Sequence, residues 1–134
     1  MSPEHAQTVA ARFVAFLETG TPPPDLFTAD VFCDFTFPRW RVQAEGLAAT
    51  VALRKQGHPG PGRVPRWRCD ATPTGFVIEF EERWEQDGKE WYSREMARAD
   101  VNGDAITALS VYCTGDWDAA RREEHARAVQ LVRP

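Results

Sequence analysis

Residues 75–100 read GFVIEFEERWEQDGKEWYSREMARAD, with Asp87-Gly88 near the centre of a long β-prone run. Asp-Gly between alternating apolar and polar residues is a strong short-range signal for a two-residue hairpin turn. Such a turn sets Gln86 opposite Lys89. The pairing then runs back through Trp84 with Trp91, Glu82 with Ser93, Phe80 with Glu95, Ile78 with Ala97 and Phe76 with Ala99. Successive residues of a strand point to opposite faces. One face of the hairpin is therefore mostly apolar and belongs to the core. The other carries Glu79, Glu81, Arg83, Arg94 and Arg98 together with Tyr92 and Met96, and can satisfy its charges crosswise, as in Glu81 with Arg94.

Two carboxylates fall on the apolar face. Glu82 and Glu95 are diagonal neighbours there, roughly 7–8 Å apart at the backbone. Burial favours the neutral form of a carboxyl group, and a second carboxylate nearby pushes one of the two further up. Groups tuned in that way suit general acid/base work, which makes Glu95 and Glu82 the candidate catalytic residues, as base and acid. The plainer alternative places them at a wet edge of the sheet, or bonded to Ser93, an arginine or an indole N–H.

The rest of the chain sets the frame. Its 134 residues suffice for one domain with a real core, 1–134. A net charge of −4 argues against a nucleic-acid surface, which needs clustered Lys and Arg. No apolar run has the length of a membrane span, and MSPEHAQT lacks the regions of a signal peptide. Cys33, Cys69 and Cys113 are an odd, widely spaced set, which reads as reduced thiols in a cytoplasmic protein. No metal-ligand or phosphate-loop motif occurs, so neither a metal nor a cofactor is expected.

Ser2-Pro3 opens a helix whose apolar residues, Ala6 to Leu17, recur at helical spacing until Gly20 and three prolines end it. Asp25 to Phe27 reads as a short helical turn, and Phe32 to Phe37 as a strand. Glu45 to Gln56 reads as a second helix, followed by a Gly/Pro loop. Strands are expected at about 64–71, 76–85, 90–100 and 105–114. A last helix is expected from Trp117 to Leu131, capped by Asp116. The order is α+β, with helices on one face of an antiparallel sheet.

With that order in place, four stretches carry a resemblance. Arg12 to Gly20, RFVAFLETG, resembles the first helix of ketosteroid isomerases. Asp25 to Asp30 resembles the turn before their first strand, and Asn102 to Leu109 the entry to the last. Val111 to Asp118, VYCTGDWD, resembles a segment of bacterial SnoaL-like proteins. The chain is thus similar to the SnoaL-like branch of the NTF2-like superfamily. This resemblance implies a cone, a strongly curved antiparallel sheet wrapped around N-terminal helices, here with an extra C-terminal helix. Such proteins include isomerases, polyketide cyclases, epoxide hydrolases, dehydratases and non-catalytic binding modules, so the fold alone does not name a reaction.

The isomerase's helix-one tyrosine falls at Phe13, its base at Phe35 and its protonated aspartate at Ala97. The last-strand aspartate of limonene-epoxide-hydrolase-like enzymes falls at Val111. The usual constellations are therefore missing. What remains is an expected pocket for a hydrophobic small molecule, lined by Phe13, Phe16, Phe35, Trp67, Phe80, Trp84, Trp91, Leu109, Val111 and Tyr112, with Glu82 and Glu95 as its acids. The same aromatics would also serve simply as core. Tyr112 faces the pocket if Asn102-Gly103 forms a two-residue turn. A longer loop with a bulge turns Leu109, Val111 and Cys113 inward instead, and the resemblance favours that arrangement. His58 reads as solvated and His125 as a packing residue. Arg39-Trp40-Arg41 is placed at the mouth or on plain surface. Tyr92, Met96 and Val77 on the outer face, with the habit of the superfamily, point to a homodimer.

Overall fold

The computed structural model describes residues 1–134. Helix α1 (Pro3–Thr19) begins where the Ser2 side chain accepts the His5 N–H at 3.1 Å, and ends at Gly20 with φ 75°. Only a residue without Cβ takes that left-handed position at little cost. Strands β1 (Phe27–Thr36) and β2 (Arg41–Glu45) form a first hairpin, and α2 (Leu47–Gly57) follows. Then come β3 (Gly62–Ala71), β4 (Gly75–Gln86), β5 (Lys89–Asn102) and β6 (Ala105–Cys113) as a meander. The chain closes with β7 (Trp117–Asp118) and α3 (Ala119–Ala128). No helix is long and apolar enough to cross a membrane.

The sheet order is β2-β1-β6-β5-β4-β3, with β7 pairing β5. The β4–β5 register is the expected one, from Gln86↔Lys89 to Phe76↔Ala99. Asp87 and Gly88 both have positive φ, 55° and 73°, as a primed turn requires. Phe76, Ile78, Phe80, Glu82, Trp84, Ser93, Glu95, Ala97 and Ala99 are buried on one face. Against that face α1 packs Val9, Phe13, Phe16 and Leu17, with Phe13 edge-on to Phe80 and Phe16 edge-on to Phe27.

Four local expectations are corrected. The sheet is mixed, because β1 runs parallel to β6. Strand orientation is set by which edge the chain reaches, and nothing local encodes it. Asp25 to Phe27 is a turn and then strand: the Leu26 carbonyl accepts the Ile106 N–H, which draws the chain onto β6 five residues early. Arg41–Glu45 is a strand, paired with β1. Trp117-Asp118 pair with Tyr92 and Trp91 in extended form, so the last helix starts at Ala119, ends at Ala128 and is capped by Asp118. Helix α3 lies on the outer side, with Trp117 against His125 at 5.5 Å.

Gly75, at the head of β4, lies so close to β5 that an added Cβ would stand 2.0 Å from the Ala99 carbonyl oxygen. The clash is with backbone, which cannot swing aside. Gly75→Ala should cost about 3 kcal/mol, the upper end of overpacking effects; urea unfolding that shows the variant as stable as the parent refutes this reading of the β4–β5 approach.

Candidate active site

Where α2 ends against the sheet, a cavity of about 280 Å³ opens. Its apolar wall comes from Phe35 on β1, Phe37 and Trp40 in the β1–β2 connection, Val42 on β2, Leu53 on α2 and Val111 on β6. The Phe35 and Phe37 rings lie nearly parallel, 14° apart, with centroids at 6.3 Å. Trp40 is 75% exposed and stands at the mouth. The polar lining is Arg54, Gln56, His58, Glu95, Cys113 and Asp116.

Beneath the cavity is a buried charge network. Arg54 makes a two-pronged ion pair with Glu82, one prong at 3.1 Å, and donates to the Leu17 carbonyl at the end of α1 at 2.6 Å. Burial alone would raise the Glu82 carboxyl, but the charge and hydrogen bonds of Arg54 outweigh it and hold Glu82 ionised, below the usual carboxylate range. Glu95 has no such partner. Burial first, then the negative charge of Glu82 and a hydrogen bond with it, lift Glu95 well above the usual range. Ser93 Oγ donates to Glu95 Oε1 at 3.4 Å, while Glu95 Oε2 is buried with no protein partner. The neutral acid, a hydrogen-bond donor facing the cavity, is the form this setting favours.

His58, just beyond α2, packs its ring on Trp84 at 4.4 Å, with Nε2 3.9 Å from Glu82. Burial and the charge of Arg54 depress it to about 4, so it is a neutral imidazole near pH 7. Asp116, at the rim, is raised by burial and then by Glu82. Burial and then Glu95 push the Cys113 thiol up, which leaves it a poor nucleophile. No group of three or more His, Cys, Asp or Glu is placed to share a metal ion.

No protein-family model matches the sequence, and no curated protein is detectably similar to it. Solved structures are similar in fold. An NTF2-like protein from Anabaena variabilis is 22% identical with a TM-score of 0.67, over 84% of this chain and 89% of that one. A protein with a ketosteroid isomerase-like fold from Catenulispora acidiphila, solved in complex with trimethylamine, is 13% identical with a TM-score of 0.63, over 85% and 88%. A candidate polyketide cyclase from Xanthomonas campestris is 16% identical with a TM-score of 0.62, over 81% and 90%. The chain has an NTF2-like fold.

Within the NTF2-like cone, the residues singled out from sequence separate into groups. Glu95, Phe35 and Val111 line the cavity, and Glu82 lies directly behind it. Phe13, Phe16, Phe80 and Leu109 are core, and half-buried Trp67 packs against them. Trp84 backs His58, and Trp91 borders a different cleft near the hairpin turn. Tyr112 points the other way: it pairs with Met96 on the convex face and is 62% exposed. A bulge at Thr107 after the Gly103-Asp104 turn flips the phase of β6 and sends Leu109 and Val111 inward. His58 is enclosed between Trp84 and Glu82, not solvated. Of the Arg39-Trp40-Arg41 trio only Trp40 lines the cavity, since Arg41 pairs with Asp34 at 2.9 Å.

Sequence reading did not find Arg54, Asp116, Phe37, Val42, Leu53 or His58 as site residues, and left Trp40 between the mouth and plain surface. A signal for Arg54 existed: it stands one turn after Thr50 and Val51, on the buried side of α2, where an arginine needs an acid.

Glu95 holds its proton more tightly folded than unfolded. Its stabilising contribution is therefore complete below the unfolded value near 4.3 and is lost as pH rises through the folded value. Urea unfolding of the parent and Glu95→Gln from pH 4 to 8 should show the gap moving in favour of the variant as pH rises; a gap independent of pH rules out a raised Glu95.

Proposed function

We propose that this chain is a small-molecule acid/base enzyme, acting by isomerisation, cyclisation or addition–elimination on a small, largely apolar carbonyl compound. The observation that carries the reading is Glu95: a buried carboxyl group in an aromatic-walled cavity, with one oxygen unpartnered and an ionised Glu82 behind it. Glu95 is the acid. It donates to the substrate's carbonyl oxygen as negative charge develops there, in a low-dielectric site where such a bond is strongest. Glu82 remains ionised with Arg54 and is a positioning residue, so in this proposal Glu95 is the acid where sequence reading had it as base, and Glu82 is no longer the acid. Asp116, at the rim with a raised carboxyl, takes the proton from the carbon next to the carbonyl, and the released electron pair moves onto the oxygen held by Glu95. Return of the proton to a different carbon completes an isomerisation.

The test is exchange of α-hydrogens into deuterated water, followed by NMR, with small apolar ketones and enones as probes. Glu95→Gln should slow exchange by about 10²–10⁴-fold, the range of general acid catalysis, while calorimetry shows probe binding changed only a few-fold. A parent that catalyses no exchange, or a Gln variant that exchanges as fast as the parent, defeats the enzyme reading.

A second reading is a non-catalytic binding module. Phe35, Phe37 and Trp40 beside Glu95 and Asp116 form the aromatic and acidic wall that suits an alkylammonium ion. The Catenulispora structure contains trimethylamine in a similar fold. Saturable binding of trimethylammonium together with no exchange activity supports this second reading over the first.

A homodimer through the convex face belongs to the same proposal. Helix α3 covers Tyr92, but Met96 and Tyr112 remain 48% and 62% exposed beside one another. Light scattering at micromolar concentration should give twice the mass of one 15.1 kDa chain; a single-chain mass counts against it. Three free cysteines support a cytoplasmic, reducing location.

A further inference from the structure

Near the Asp87-Gly88 turn the sheet carries a second cleft of about 450 Å³ that shares no lining residue with the Glu95 cavity. Arg63, Arg83 and Arg122 converge on it from β3, β4 and α3. Arg63 and Arg83 are directly opposite one another in the strand register. Like charges so placed repel. Arg83 and Arg122 share a single aromatic ring, their guanidinium carbons 5.7 and 4.7 Å from the Tyr92 centroid.

None of these three arginines takes part in an ion pair, whereas Arg68, Arg94 and Arg98 on the same convex face all do. Glu85 and Glu90 border the cleft, yet neither pairs with a cation. Arg83 Nε is buried with no hydrogen-bond partner. A chain with net charge −4 has acids enough to neutralise these groups, and the fold leaves them facing one space instead.

We propose that this cleft binds a multiply charged oxyanion, with a phosphate ester as the ligand class. Guanidinium forks match phosphate oxygens two at a time, and three forks around one space neutralise a di- or trianion that no single arginine would hold in water. Such a ligand relieves the Arg63–Arg83 repulsion and supplies the missing acceptor for Arg83 Nε. The cleft is larger than one phosphate group, which leaves room for the organic part of an ester.

Calorimetric titration of the full chain with inorganic pyrophosphate at low salt tests this, with citrate as the carboxylate arm. The expected result is saturable pyrophosphate binding that weakens as salt is raised. Arg83→Gln and Arg122→Gln should each weaken it at least tenfold. Arg63→Gln, at an exposed position that does not threaten folding, should do the same. Arg98→Gln, on the same face but outside the cleft, should leave binding unchanged, and circular dichroism should show all four variants folded. Absence of saturable binding, or an equal loss in Arg98→Gln, overturns the site. Citrate binding as tightly as pyrophosphate overturns the phosphate class.

Discussion

The Arg54–Glu82 ion pair is the interaction on which the rest of the site depends. Helix α2 has a weak apolar side, with Thr50 its only fully buried residue. What fastens it is a guanidinium that reaches Glu82 on β4 and the Leu17 carbonyl on α1 at once. Three elements meet at one side chain. A buried pair of this kind is weak evidence for net stability, because desolvation offsets much of its attraction. Its loss is another matter: removing one partner leaves a charge stranded, typically at about 3–5 kcal/mol.

The pair also sets the charge state of its surroundings. Burial first, and then the ionised Glu82 beside it, make a second negative charge costly, so Glu95 favours its protonated form. Burial first, and then the positive charge of Arg54, make a protonated His58 costly, so the imidazole stays neutral. Burial and this one ion pair together leave a neutral carboxyl group and a neutral imidazole beside an ionised Glu82. The ketosteroid isomerase positions at Phe13, Phe35 and Ala97 are apolar here. The buried carboxyl group that lines the cavity is on β5 at Glu95, two residues before Ala97 and therefore on the same face of the strand.

The two faces of the sheet manage charge differently. On the concave face the buried Glu82 is paired with Arg54. On the convex face Arg94 finds Glu79 across the strands at 2.9 Å, and Arg68 and Arg98 meet acids two residues on in their own strands. The three around the hairpin-end cleft do not, and this contrast within one surface is what distinguishes a cleft built for an anion from ordinary solvated charge.

Much of the fold follows from short-range chemistry in the chain. Asp87-Gly88 dictates a primed turn, and a period of two then assigns every residue of β4 and β5 to a face. That reasoning alone brought Glu82 and Glu95 together, because both carboxylates belong to one hairpin. Ser2, Pro3 and Gly20 likewise mark the ends of α1 by their own capping chemistry. The parallel pairing of β1 with β6, the bulge that turns Tyr112 outward and the extended start at Trp117 all depend on partners distant in sequence, to which local propensity is blind. The division of labour between the acids is the clearest case. Two glutamates on one strand pair are equivalent on paper; only the arrival of Arg54, from a helix 28 residues upstream of Glu82, makes one an anion and the other an acid.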